Sequence, residues 1–202
     1  RSVVYNGAMK IAQRGTSFTG ITATGTFPVD RFIFHVGSLG TWTLSQSTDV
    51  PTGQGLSHSI KCDVTTANAS PSGTAYARID QRFEGQDLQQ LKKGTSDAEK
   101  ITVSFYVKGN ASATYAVELY DLDNDRHASK TFAVTTSWNR ISLTYDGDTT
   151  GAFTYDNSAA LQFNIWLHGG STFTGGTLQS SFGAANAGGR AVGISSFFDS
   201  TD

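Results

Sequence analysis

The sequence predicts an all-β fold, an antiparallel β-sandwich with one short helix, and three observations predict it. Apolar and polar residues alternate with period two along most of the chain, the pattern of strands with one buried face. Turn-forming clusters separate these runs, among them Lys108-Gly109-Asn110, Asp123-Asn124-Asp125 and Asp146-Gly147-Asp148. Charged residues make up only 16% of the chain, against 22 glycines and abundant Ser and Thr, a balance typical of extracellular β-proteins and unlike that of helical enzymes.

The strands follow in order. Phe32-Ile33-Phe34-His35-Val36 and Thr41-Trp42-Thr43-Leu44 are the early candidates. In Ser59-Ile60-Lys61-Cys62-Asp63-Val64, Cys62 alternates with Ile60 and Val64, so it reads as a small core residue. Residues 76–83 form the next strand. Ile101, Val103, Phe105 and Val107 oppose Thr102, Ser104, Tyr106 and Lys108. Tyr115, Val117 and Leu119 alternate with Ala116, Glu118 and Tyr120, and a partner strand is expected from near Ser129. Ile141, Leu143 and Tyr145 repeat the pattern, as do Leu161, Phe163, Ile165 and Leu167 against Gln162, Asn164 and Trp166. Val192 to Phe198 reads as a last strand. The one helix is expected over 86–93, with Leu88 and Leu91 on one face, Asp87 near its start, Lys92 and Lys93 at its end and Gly94 as C-cap. Residues 45–58 and 169–190 read as long loops, the usual carriers of binding on a rigid sheet.

Composition also excludes functions. The net charge is −2 and no basic cluster exceeds Lys92-Lys93, so no nucleic-acid partner is expected. No apolar run approaches the ~18 residues that span a bilayer, so no membrane insertion is expected. Cys62 is the sole cysteine, which rules out an intramolecular disulfide and a cysteine-based metal site. A chain of 202 residues suits one sandwich, so residues 1–202 are expected to form a single domain. Because the chain opens on Arg1, a fragment of a longer protein is expected.

No nucleophile elbow, zinc-helix motif, P-loop or dinucleotide-binding glycine pattern occurs, and no enzymatic activity is expected. The four histidines are far apart in sequence. Asp121-Leu122-Asp123-Asn124-Asp125 resembles the opening of a calcium loop, with Asp121, Asp123 and Asp125 as candidate ligands of a structural calcium ion. Arg126 and Phe132 stand where that loop needs Gly and Glu, so a hairpin turn is the favoured reading. Asp80 and Glu118 are mid-strand acids on polar faces, as a glycosidase pair would be. Arg78 and Arg82 flank Asp80 on its own face, which favours an ion-pair network. The more informative pattern is aromatic. Tyr76, Tyr106, Tyr120 and Trp166 fall on the polar sides of their strands, beside Arg78, Asp80, Glu118, Gln162 and Asn164. On one sheet these would form a platform for sugars, the rings stacking on pyranose faces and the polar groups meeting hydroxyls. The alternative is that these rings pack under the long loops or at a subunit contact. The candidate carbohydrate ligands are therefore Trp166, Tyr106, Tyr76, Arg78, Asp80, Glu118, Asn164 and Gln162.

Several segments together carry a resemblance. Asn6-Gly7 with Gln13-Arg14-Gly15, then Arg78-Ile79-Asp80-Gln81-Arg82-Phe83-Glu84-Gly85-Gln86-Asp87-Leu88, then Ile101 to Lys108, come first. Gly147-Asp148-Thr149-Thr150-Gly151, Trp166-Leu167, Gly170 to Leu178 and Arg190-Ala191-Val192-Gly193 follow in the same order. This set resembles a domain found in bacteriophage tail-fibre and other virion proteins, which in turn is similar to the jelly-roll β-sandwich of carbohydrate-binding modules. Phe197-Phe198-Asp199 fits the start of that fold's closing strand. The resemblance implies that Gln81, Arg82 and Glu84 hold the fold, and it marks no sugar-contacting residues. It implies a virion-surface location on a tail fibre or capsid fibre, other virion proteins and host-surface glycan as partners, and a homotrimer. The implied function is adsorption to host carbohydrate. A purely structural connector or decoration domain, and an accessory module of a polysaccharide-degrading enzyme, are the alternatives.

Overall fold

The structure, a computed structural model, describes residues 2–197. Its strands form three antiparallel sheets. The largest has seven strands: β12 (Gly183–Ala184), β9 (Arg126–Val134), β8 (Ala113–Asp121), β11 (Ala159–Gly169), β6 (Tyr76–Glu84), β3 (Phe32–Gly37) and β2 (Thr26–Val29), in that spatial order. The second layer comes in two pieces, β1 (Ser17–Ile21), β4 (Thr41–Ser47) and β5 (Ser59–Thr66), and the pair β7 (Ile101–Val107) and β10 (Asn139–Tyr145). One apolar core joins all three. It holds Phe34 and Val36 of β3, Leu44 of β4, Val64 of β5, Val117 and Leu119 of β8 and Leu161 of β11. The antiparallel sandwich follows from the alternation: each strand sends every second side chain to this shared core.

The two layers are not equal. Inward residues of the large sheet are mostly buried, whereas Ile101, Val103, Phe105 and Val107 of β7 and Ile60 and Cys62 of β5 stay half-exposed. Cys62 thus alternates inward but lies at an incompletely covered wall of the core. Strand β11 is the reverse case. It pairs with β6 on one side and β8 on the other, and Ala160 to Asn164 and Trp166 to His168 are buried.

The expected strands up to β11 occur, and β9 begins at Arg126, three positions ahead of the expected start. β1 and β2 lie in Ser/Thr/Gly-rich stretches where alternation is weak. The helix expected over 86–93 is two successive 3₁₀ turns, Gly85–Asp87 and Gln89–Leu91. Leu88 between them is fully buried and leaves helical geometry at φ −109°, and Lys92 ends the pair in a left-handed conformation at φ 48°. Gly85 is held against the Thr154 carbonyl, leaving no room for a Cβ. Residues 192–197 form turns and irregular chain in place of the expected strand, although Ser195 N–H reaches the Thr114 carbonyl at 2.7 Å. Phe198 and Asp199 lie outside the described residues. Gln81 acts as a clamp: its side-chain amide takes the Tyr5 N–H and donates to the Tyr5 carbonyl, both at 2.9 Å.

Trp42 anchors the second layer. It is fully buried, packs edge-on to Phe34 at 4.9 Å and stacks on Phe197 at 5.1 Å. Trp42→Ala is expected to lower the free energy of unfolding by about 3–5 kcal/mol, read from the guanidinium midpoint at unchanged slope.

Candidate functional site

The outward side of the large sheet carries most of the predicted ligand residues, and it is roofed. Residues 170–194 fold back over it. Helix α1 (Ser171–Thr174) places Phe173 against Trp166 at 5.1 Å and Tyr76 at 5.9 Å, and Ala191 completes this small apolar cluster. β12 adds to the sheet edge through His127 and Arg126, and Gln179 donates to the His127 carbonyl at 2.7 Å. The stretch read as a loop over 169–190 is therefore a lid with its own short elements. Trp166, Glu118 and Asn164 have no exposed surface beneath it, and Asp80 is equally buried among Gln162, His35 and Arg82.

Glu118 organises the polar part of this interface. Its carboxylate accepts Asn164 Nδ2 and Trp166 Nε1, each at 2.9 Å, and Arg190 Nε and Nη2 at 2.6 and 2.9 Å. The Arg190 guanidinium also lies over Trp166 and Tyr120 at 5.0 and 4.8 Å. Asp80 is likewise buried. It accepts from Gln162 Nε2, and His35 Nε2 lies 3.0 Å away. Of its two flanking arginines, Arg82 approaches to 3.8 Å, whereas Arg78 lies between the rings of Tyr76 and Trp166, 5.4 Å from each. Burial, aided by the Arg190 charge, lowers the Arg78 pKa. Asp80 and Glu118 both register with Asn164 of β11, so they stand two strands apart, about 10 Å at ordinary strand spacing. These residues form structural networks, and the expectation of one open aromatic platform is corrected: alternation places Trp166 opposite the core, but the lid then buries it.

Tyr106 is elsewhere. It belongs to the second layer and faces outward from β7. Its hydroxyl donates to Gln54 Oε1 of the 48–58 loop at 2.6 Å. Beside it stand Arg140, its cross-strand partner, and Trp138 just before β10. The Trp138 indole N–H donates to Asp49 Oδ1 at 3.0 Å, and Lys108 Nζ lies 5.7 Å from the ring and pairs with Asp49. Those two donors hold the Asp49 carboxyl below its ordinary pKa. Sequence reasoning passed over Trp138 because it lies outside any alternating run. The signal was a tryptophan in the polar turn Thr135-Thr136-Ser137-Trp138-Asn139. This rim borders a groove of about 1090 Å³ between β5 and β7.

The calcium-like segment is the β8–β9 turn. Asp121 accepts the N–H groups of Asp123 and Asn124 at 3.0 and 3.1 Å. Asp123 accepts Thr154 N–H at 2.8 Å, and Asp125 accepts the Tyr120 hydroxyl. The three carboxylates thus serve separate partners. Among the described residues no group of three or more His, Cys, Asp or Glu side chains is placed to hold a metal ion. The cation at this corner is Lys93, buried, with Nζ 2.5 Å from Asp121 and 3.1 Å from Asp148, while Arg126 binds Asp148 in a two-pronged contact at 2.8 and 2.9 Å.

No family model matches the chain, and no curated protein matches it. Among solved structures it is similar to the enzymatically active domain of tailspike protein 4 of bacteriophage CBA120, at 13% identity and a TM-score of 0.44, over 83% of this chain and 20% of that one. It is similar to a CBM4 structure at 16% identity and the same TM-score of 0.44, over 82% of this chain and 88% of that one. The chain spans about a fifth of the tailspike structure's length.

Two measurements test the buried networks. Lys93→Ala leaves Asp121 and Asp148 without their buried cation and is expected to cost about 3–5 kcal/mol in chemical unfolding. Burial lowers the His127 pKa below 6.5, so the unfolded chain binds a proton that the folded one resists. Stability is therefore expected to fall as the pH drops below about 6.5, and His127→Gln should flatten that limb of a melting-temperature profile. A second loss is expected below about pH 4. Burial pushes the Asp148 carboxyl up, but hydrogen bonds from Arg126, Thr150 and Lys93 outweigh it and hold the pKa below 3.8. That contribution is complete above 3.8 and disappears as Asp148 is protonated.

Proposed function

We propose that this chain is a surface domain of a tailed-phage virion that binds host carbohydrate without cleaving it, through the rim around Tyr106 and Trp138. The observation that carries this reading is that rim: two half-exposed rings bracketed by Gln54, Asp49, Lys108 and Arg140 on the open side of the second layer. Rings supply stacking surfaces for sugar faces, and the charged and amide groups supply donors and acceptors for hydroxyls. The ordered virion-domain motifs supply the setting, a tail fibre or capsid fibre. Non-catalytic binding accords with Asp80 and Glu118 being covered and with both Glu118 oxygens engaged by donors. A single such site binds weakly, and a homotrimer would raise avidity by ~10²–10⁴ where the sites engage together.

A second reading, a structural connector that binds no sugar, is favoured by one feature, the apolar depth of the neighbouring groove.

A glycan array probed with the full chain, displayed multivalently, separates the two. Binding to host-surface polysaccharide is expected to fall at least tenfold in Tyr106→Ala and in Trp138→Ala, with melting temperatures near that of the parent. Trp166→Ala should instead lower stability. Absence of binding to every host polysaccharide, or binding indifferent to both rim variants, would leave the connector reading in place.

A further inference from the structure

His127 lies under the part of the lid, residues 179–190, that crosses the β8–β9 side of the outward face. It has no exposed surface, and neither ring nitrogen makes a hydrogen bond. Two buried polar ring atoms without partners are unfavourable, so packing alone does not account for a histidine here. Its surroundings do. Nδ1 stands 3.5 Å from Glu118 Oε1, the same oxygen that accepts Arg190 Nε at 2.6 Å. The ring stacks on Tyr120 with centroids 6.2 Å apart. The charged and titratable groups facing it are thus Glu118 and Tyr120 on β8, Asp125 in the β8–β9 turn and Arg190 in the lid. Arg190 and a protonated His127 compete for one carboxylate oxygen.

That competition differs between a closed and an open lid. With the lid down, burial and the Arg190 charge disfavour the imidazolium, and Glu118, the Asn186 backbone and Asp125 favour it. Burial dominates and the pKa lies below 6.5. When the lid lifts, Arg190 leaves with it, and the ring regains water as Gly183 and Asn186 withdraw. Glu118 and Asp125 belong to the sheet and its turn, and they stay. The open arrangement therefore binds the proton more tightly. Above the ordinary imidazole range His127 is neutral in both arrangements and closure is at full strength. As the pH falls through that range closure weakens, by up to about tenfold per pH unit, until the closed-state pKa is passed. Besides Arg190, the segment is held by the two-residue β12–β9 pairing, by Gln179 at both its backbone and its side chain, by Ala185 N–H on the Asp125 carbonyl and by Arg126 on the Phe182 carbonyl. A segment held this way opens at a lower free energy than the whole fold. We infer that residues 179–190 are an acid-operated latch: protonated His127 takes Glu118 from Arg190, and the segment lifts from β8 and β9. Acid then uncovers Tyr120, His127 and Glu118. The latch lies on the large sheet, whereas the Tyr106–Trp138 rim lies on the second layer, so it is independent of sugar binding there.

The test is amide hydrogen exchange of the full chain at about pH 7.5 and about pH 5, expressed as protection relative to the intrinsic rate at each pH. Protection over 179–190 is expected to fall about tenfold at the lower pH, with that of β3 and β6 unchanged. In His127→Gln the fall should disappear, and in Arg190→Gln protection should be low at both pH values. The His127 ring is also titrated by NMR in the parent chain, where its pKa should lie below 6.5, and in Arg190→Gln, where it should rise. The inference is overturned if protection over 179–190 is indifferent to pH, if β3 and β6 lose protection equally, or if His127→Gln keeps the full pH dependence. A parent His127 that titrates at or above 6.5 overturns it as well, whether or not either variant folds.

Discussion

Glu118 is the contact on which the outer half of the molecule depends. A carboxylate without exposed surface is unfavourable unless donors surround it, and Glu118 collects them from two places: Asn164 and Trp166 on the neighbouring strand, and Arg190 at the far end of the lid. The lid is short of regular structure, with only a four-residue helix, a two-residue strand and one 3₁₀ turn, Ala187–Gly189. Its own hydrogen bonds would not hold it down. The Arg190–Glu118 pair and the Phe173–Trp166 contact fasten it together with the β12–β9 pairing and the Gln179 bond to His127, and they let β11 be covered on both faces. The same arrangement removes the acids of this sheet from solvent. Of the two acids that resemble a catalytic pair by residue type, Glu118 fastens the sheet to its cover, and Asp80 binds Gln162 and His35 within the sheet.

The two layers express opposite solutions to the same problem. The large sheet closes its outward face with a segment of its own chain. The second layer leaves a gap between two strand edges and keeps Val103, Phe105 and Ile60 half-covered. Open edges of this kind invite pairing by other chains. The polar rim beside the gap, with Tyr106, Trp138 and their charged neighbours, therefore borders a region of the sandwich where the core approaches solvent.

Much of this was legible in the sequence, and the failures have a common origin. Alternation located β3, β4, β6, β7, β8, β10 and β11 because each has one apolar side throughout. It said that Trp166 and Glu118 point away from Ile165 and Val117, which is right. It did not say whether solvent or protein lies beyond them, because period two distinguishes faces and not what covers them. Tyr106 was grouped with Trp166 for the same reason: alternation assigns a side of a strand, not a sheet. The lid was hidden by its composition, since seven glycines over 169–190 read as a loop, and its order comes from tertiary contacts alone. The 86–93 segment had helical spacing and a C-cap, yet Leu88 is drawn into the core at the cost of helical dihedrals.

The place of β11 in the chain has a consequence for how the protein is made. The central partner of both β6 and β8 is the last long strand among the described residues, so two edges of the principal sheet must wait while the intervening chain leaves the ribosome. Pairings between residues this distant in sequence close slowly, and the waiting strands are exposed to foreign partners meanwhile. The polypeptide therefore gains its native topology late and nearly all at once. Its yield in a cell should be governed less by final stability than by how well the unfinished sheet is shielded during those seconds.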